Sequence, residues 1–130
     1  NFKLASGTFV SVGELRIGAI GAIGDAVTDA VVCGEGRENV GLMFYPRPGV
    51  PAADIEAAVR AGVERFNAQA KGSGGRIARA LVLDSPPSAD AGEITDKGYI
   101  AQSLARAMRA ADVERLFAEP APAGVMAFSA

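Results

Sequence analysis

The stretch GEITDKGYI, residues 92–100, places Lys97 next to Asp96, within reach of Glu93, in a segment punctuated by Gly92 and Gly98. Lysine is scarce in this chain: Lys3 and Lys71 are the only others, and every remaining basic side chain is arginine. Arginine is a planar fork that stays charged at any pH, whereas lysine is a compact point charge on a flexible stem. A lysine in such a loop suits chemistry in which one anionic oxygen must be met at one moment of a reaction. The same residue also reads as a solvated loop cation beside Asp96, and this stretch alone leaves both readings open.

The rest of the chain narrows the chemistry. It contains no histidine, which removes histidine general bases, histidine-containing triads and histidine metal sites together. Cys33 is the single cysteine and lies in the apolar run DAVVCGEG, so it reads as a small core residue of a strand and excludes an internal disulfide. No metal-ligating cluster is predicted. Catalysis is left to Lys, Asp, Glu, Tyr, Ser or backbone groups. A net charge of -2 without a basic cluster argues against nucleic acid or an anionic membrane as a partner. At 130 residues the chain is expected to form one core, burying about two-thirds of its unfolded surface. No segment has the apolar length of a membrane span or the layout of a signal peptide, and the composition reads as cytoplasmic.

The elements that must position Lys97 follow from periodicity. Phe2–Leu4 and Thr8–Ser11 are short β-leaning runs flanking Ser6 and Gly7, hence a hairpin. A helix is predicted from Val12 to about Ile23, with Ser11 and Glu14 at capping-box spacing and with Gly18, Gly21 and Gly24 marking close packing or a stop. AVTDAVVCG and NVGLMFYP are two strands joined by EGREN, an antiparallel pair. From Pro51 a second helix carries Ile55, Val59, Gly62, Val63 and Phe66 on one face, with Glu56 and Arg60 paired outside. RIARALVLD is a third strand. The polar loop SPPSADAGEITDKGY is long for a compact domain and therefore a candidate functional segment. A last helix is predicted from Tyr99 to Phe117, with Ile100, Leu104, Met108, Ala111 and Leu116 inward, and residues 119–130 read as a Pro/Ala tail. The GAIGAIG and KGSGG runs lack the context of nucleotide-binding loops. The order predicts an α+β fold, with an N-terminal β-hairpin followed by a small sheet of about three strands covered by helices.

KLASGTFVSVGELR, with Ser6, Gly7 and Glu14, resembles the segment that opens the C-terminal domain of acyl-CoA synthetases and other adenylate-forming enzymes. RIARALVLDSPPSADAGEITDKGYIAQ is similar to the feruloyl-CoA synthetase branch, and the resemblance extends to about Phe117. It implies that residues 1–118 form a mobile lid whose partner is an N-terminal adenylation domain outside these residues, with the hinge immediately before LASG. The implied reaction joins an aromatic carboxylic acid to coenzyme A at the expense of ATP, with Mg2+ on the phosphates, through an acyl-adenylate. The isolated lid is then expected to be inactive. By the same resemblance Lys97 is the catalytic cation of adenylation, and Ser6 and Gly7 line the passage of the coenzyme's pantetheine.

The pattern departs from the superfamily at one place. The usual motif, Pro, Thr, Ser-Gly-Lys-Ile, laid over PSADAGEIT without a gap puts Glu93 where the lysine belongs, with Lys97 four residues later. An anion there would repel an anionic transition state, so the role falls to Lys97 by a shift of register or the lysine is dispensable. Glu93 receives no role of its own. Two other readings stand beside the aryl-acid ligase: a fatty-acyl or other aryl-CoA ligase lid, and a non-catalytic α+β ligand-binding or assembly module.

Overall fold

The computed structural model describes residues 1–129. The β-branched and aromatic runs form strands that are apolar on both faces, so the sheet must be covered on both sides. β3 (Val27–Cys33) and β4 (Val40–Pro46) are antiparallel, β5 (Ile77–Val82) lies parallel to β4, and β6 (Val125–Ala127) closes the order β3-β4-β5-β6 antiparallel to β5. The parallel step requires a crossover, which α2 (Ala52–Ala68) supplies. Ahead of the sheet, β1 (Phe2–Lys3) and β2 (Phe9–Val10) form a separate hairpin that leads into α1 (Val12–Ile23).

Alternation along the strands divides the interior in two. Ala30, Val32, Leu42, Phe44 and Ala80 face α1 and α2, whose Leu15, Ala19, Val59 and Val63 complete that layer. Val31, Cys33, Met43, Tyr45 and Leu81 face the other way, against Ala105 of α3 (Gln102–Met108) and Leu116 of α4 (Ala110–Phe117). The α+β class and the hairpin agree with expectation. A fourth strand comes from the Pro/Ala segment, where Met126 is buried and the sequence predicts a tail.

Other details differ from the sequence reading. The predicted last helix is two helices broken at Arg109 (φ -110°, ψ 34°), and Leu104 and Met108, expected inward, are exposed. No side-chain bond from Ser11 caps α1; Asn1 Oδ1 accepts from the Val12 amide instead, at 3.1 Å. Glu56 and Arg60 do not appear among the ion pairs of the described residues. Gly18 does mark close packing, because a Cβ there would stand 2.7 Å from the Phe66 ring, whereas a Cβ at Gly21 would meet nothing within 4 Å.

Candidate functional site

Lys97 sits at the tip of a short arm. Ile94 and Ile100 form an isolated antiparallel bridge, the Thr95 amide donates to the Tyr99 carbonyl at 2.8 Å, and the Gly98 amide donates back to the Thr95 carbonyl at 2.9 Å. Gly98 has φ +85°. This is a three-residue hairpin loop, Asp96-Lys97-Gly98, whose last position needs the left-handed backbone that glycine adopts without strain. The long polar loop is therefore ordered by its own hydrogen bonds at this point. Lys97 is exposed, and no hydrogen bond or ion pair holds its ammonium among the described residues.

The arm is rooted in Glu93. Its carbonyl accepts from the Ala101 amide at 2.8 Å, closing the arm's two ends, and its amide donates to the Ser88 carbonyl at 2.9 Å. The Glu93 side chain is completely buried. Oε2 accepts from the Tyr45 hydroxyl at 2.6 Å and from Arg109 Nε at 2.6 Å, while Oε1 accepts from the Ser88 amide at 2.8 Å and Arg109 Nη2 at 3.1 Å. Burial alone would raise the carboxyl's pKa, but the Arg109 guanidinium, the Tyr45 hydroxyl and the Ser88 amide outweigh it and hold it down to about 2. Burial and the adjoining carboxylate push the Tyr45 hydroxyl upward, so it stays a protonated donor. The Arg109 charge is reinforced chiefly by its hydrogen bond to Glu93.

Arg109 holds more than the carboxylate. It donates to Ser85 Oγ at 2.9 Å and to the Pro86 carbonyl at 3.0 Å, and its guanidinium lies 5.2 Å from the Tyr45 ring centre. The start of the loop, the root of the arm and the break between α3 and α4 thus meet at one side chain. The sequence reading missed this cluster because its members lie 48 and 16 positions from Glu93. Its available signal was the acid itself, a residue that must be paired if buried.

Ser6 and Gly7 form the turn between β1 and β2. The Gly7 amide donates to the Leu4 carbonyl at 2.9 Å, Ser6 Oγ lies 2.7 Å from Thr8 Oγ1, and Gly7 has φ +86° with open space where a Cβ would stand. Within this chain the backbone angle, not close packing, accounts for the glycine. The hairpin is docked on the turn from β3 to β4, with the Ala5 amide donating to the Arg37 carbonyl and the Gly36 amide donating to the Lys3 carbonyl.

The structure does not bring these two candidate groups together. Ser6 and Gly7 are tied to the turn beyond the Cys33–Gly41 pair, and the Lys97 arm is tied to Tyr45, which pairs with Asp29 at the other end of the same two strands. Gly41 and Tyr45 are four steps apart along β4, about 13 Å of strand. An apolar cleft of about 490 Å3, lined by Pro46, Val50, Ile55, Val82 and Met126 among others, includes neither group. Among the described residues no three His, Cys, Asp or Glu side chains converge to hold a metal. Cys33 is buried, which lifts its thiol to about 12 and leaves it a core residue.

Residues 17–121 match the family described as AMP-binding enzyme C-terminal domain. No match is found among curated proteins. The matched segment contains Glu93, Lys97 and Arg109 but not Ser6 or Gly7. The chain belongs to the C-terminal domain family of AMP-binding enzymes and is part of an adenylate-forming ligase.

Proposed function

We propose that this domain is the mobile lid of an AMP-forming acid–CoA ligase of the feruloyl-CoA synthetase type, working against an adenylation domain that precedes it in the polypeptide. The observation that carries the reading is Lys97, an unpartnered ammonium presented at the tip of a hydrogen-bonded arm. When a carboxylate oxygen attacks the α-phosphorus of ATP, the new O–P bond forms as the bond to the departing pyrophosphate breaks. Both reactants are anions, and charge accumulates on the entering and leaving oxygens. A cation delivered only at that stage lowers the barrier without holding the ground state. An ammonium already engaged by a protein carboxylate could not do this, and Asp96, although adjacent in sequence, does not pair with Lys97.

The second half-reaction has a different requirement. The thiol of coenzyme A attacks the acyl carbon of the adenylate and AMP leaves, so the thiol must enter where the ammonium had been. The separation of the Lys97 arm from the Ser6–Gly7 turn, each rooted at its own end of β3 and β4, suits a lid that offers one end to adenylation and the other to the pantetheine chain. Magnesium travelling with the nucleotide would be held by phosphate oxygens and by groups outside this chain, since no carboxylate cluster among the described residues fits it.

The test is Lys97→Ala in the full-length enzyme. Adenylation, read by pyrophosphate exchange, should fall about a hundredfold or more, the usual effect of removing one charge donor from a transition state. Thioester formation from a synthetic acyl-adenylate should hold to within about twofold. Wild-type adenylation in this variant would remove Lys97 from the reaction.

A further inference from the structure

We propose that Glu93 is a positioning residue for Lys97: by joining Arg109, Tyr45 and the Ser88 amide at the root of the arm, its buried carboxylate fixes where the ammonium is presented. This rests on the adenylation role of Lys97, and the experiment below separates the two claims.

The carboxylate is fully used. Each oxygen accepts two hydrogen bonds, and the four donors come from β4, from the break between α3 and α4, and from the loop itself. If the only need were to fill space between the sheet and α4, an apolar side chain of similar size would serve as well, because burying an ion pair returns little net stability. What a doubly bidentate carboxylate adds is direction. Its four bonds define one orientation of the Glu93 backbone, and that backbone carries the arm through the bond from the Ala101 amide.

The rest of the arm's base is held less directionally: Ile100 is buried and Ile94 half-buried against the α3 and α4 side of the core, and Gln102 just beyond accepts from the Val32 amide and donates to the Ala30 carbonyl. Its internal bonds make it stiff, and stiffness transmits the orientation of the root to the tip four residues away. Arg109 also grips Ser85 and Pro86, so the loop's entry and the arm's root are locked to the same guanidinium. Loss of the carboxylate leaves Arg109 with no carboxylate partner among the described residues and leaves the arm's direction to the packing of Ile94 and Ile100 and to its remaining backbone bonds. A displacement of about 1 Å at the reacting atoms can cost on the order of a hundredfold in rate.

A double-mutant cycle in the full-length enzyme decides this. Glu93→Gln should lower the adenylation kcat by about tenfold or more, with KM for ATP and acid and the rate of thioester formation each held within about twofold. Tyr45→Phe, which deletes one bond and keeps the ring under Arg109, should show the same split at about threefold. In a Lys97→Ala background both substitutions should lose their effect on adenylation, because their influence passes through the ammonium. Independently of catalysis, the Thr95 and Gly98 amides should exchange hydrogen at least about tenfold faster in Glu93→Gln than the shift of the β4 core amides accounts for. Additive losses with Lys97→Ala, or arm amides that change only in step with the core, would overturn the positioning role. Should Glu93→Gln fail to fold, Tyr45→Phe carries the same cycle and the same exchange measurement. A Lys97→Ala enzyme with normal adenylation would instead sink the role of Lys97, while the exchange data still judge what holds the arm.

Discussion

Acid should loosen this domain through Glu93, by an amount set by its environment. The carboxyl's ordinary value of 4.5 is held down to about 2 in the folded chain. A depressed folded value means that the unfolded chain takes up the proton more readily. The contribution to stability is therefore complete above about pH 5 and is lost as pH falls through 4.5 towards 2. The difference corresponds to on the order of 3 kcal/mol in all, of which about 2 kcal/mol is gone by pH 3. Glu93→Gln isolates it, since the amide does not ionise while every other carboxyl titrates equally in both proteins. At neutral pH the variant should be less stable by about 3 kcal/mol or more, the cost of leaving one partner of a buried pair uncompensated. Urea unfolding of the 130-residue chain, followed by far-ultraviolet circular dichroism at pH 7, 5, 4 and 3, reads the gap directly. It should be constant from pH 7 to 5 and narrow by about 2 kcal/mol at pH 3. Parallel curves across that range would refute the reasoning, because they would mean that the Glu93 carboxylate is no better held in the folded chain than in the unfolded one.

Gly7→Asn in the full-length enzyme keeps a residue that tolerates the left-handed angle of the turn but adds a side chain; adenylation should survive while acyl-CoA formation falls about tenfold, or 1.4 kcal/mol. Equal loss of both half-reactions would assign Gly7 to folding alone. The two helices should also respond oppositely to Gly→Ala. Gly21→Ala in α1 enters open space and should raise stability by about 1 kcal/mol. Gly62→Ala in α2 would put a Cβ 2.7 Å from Ile23 Cα and should lower it by about 1 to 3 kcal/mol despite the better helix propensity. Thermal denaturation of the two variants checks both signs.

Most of the scaffold was legible because it is locally encoded. The Ser6–Gly7 turn, the two antiparallel strands around EGREN, the helix after Pro51 and the strand after KGSGG each carry their own turn or periodicity signal, and all form where those signals lie. The break at Arg109 has no such signal. QSLARAMRAADVERLF contains neither Gly nor Pro and continues a helical period through the break. The interruption coincides with the contacts that Arg109 makes to Glu93, Ser85 and Pro86, groups far away in sequence. β6 was obscured for the opposite reason: Pro and Ala dominate the segment, yet three residues after Gly124 suffice once the edge of β5 is available to pair with them.

The same distinction explains why Glu93 and Lys97, four residues apart, were hard to tell apart in the sequence and are treated oppositely by the fold. Both are charged, and the motif's ungapped register falls on Glu93. Local sequence reports that a charge is present; only the tertiary contacts say whether it is neutralised. Glu93 is buried with every acceptor position filled, so it has no oxygen left for chemistry. Lys97 is exposed, with its ammonium free of any protein partner among the described residues. A residue that fixes an arm must exhaust its bonding capacity inside the protein, and a residue that meets a transient anion must keep its capacity in reserve. Reversing the two charges by Glu93→Lys and Lys97→Glu would therefore not exchange the roles: the buried position would set a lysine against Arg109, and the arm would lose its root before its tip could act.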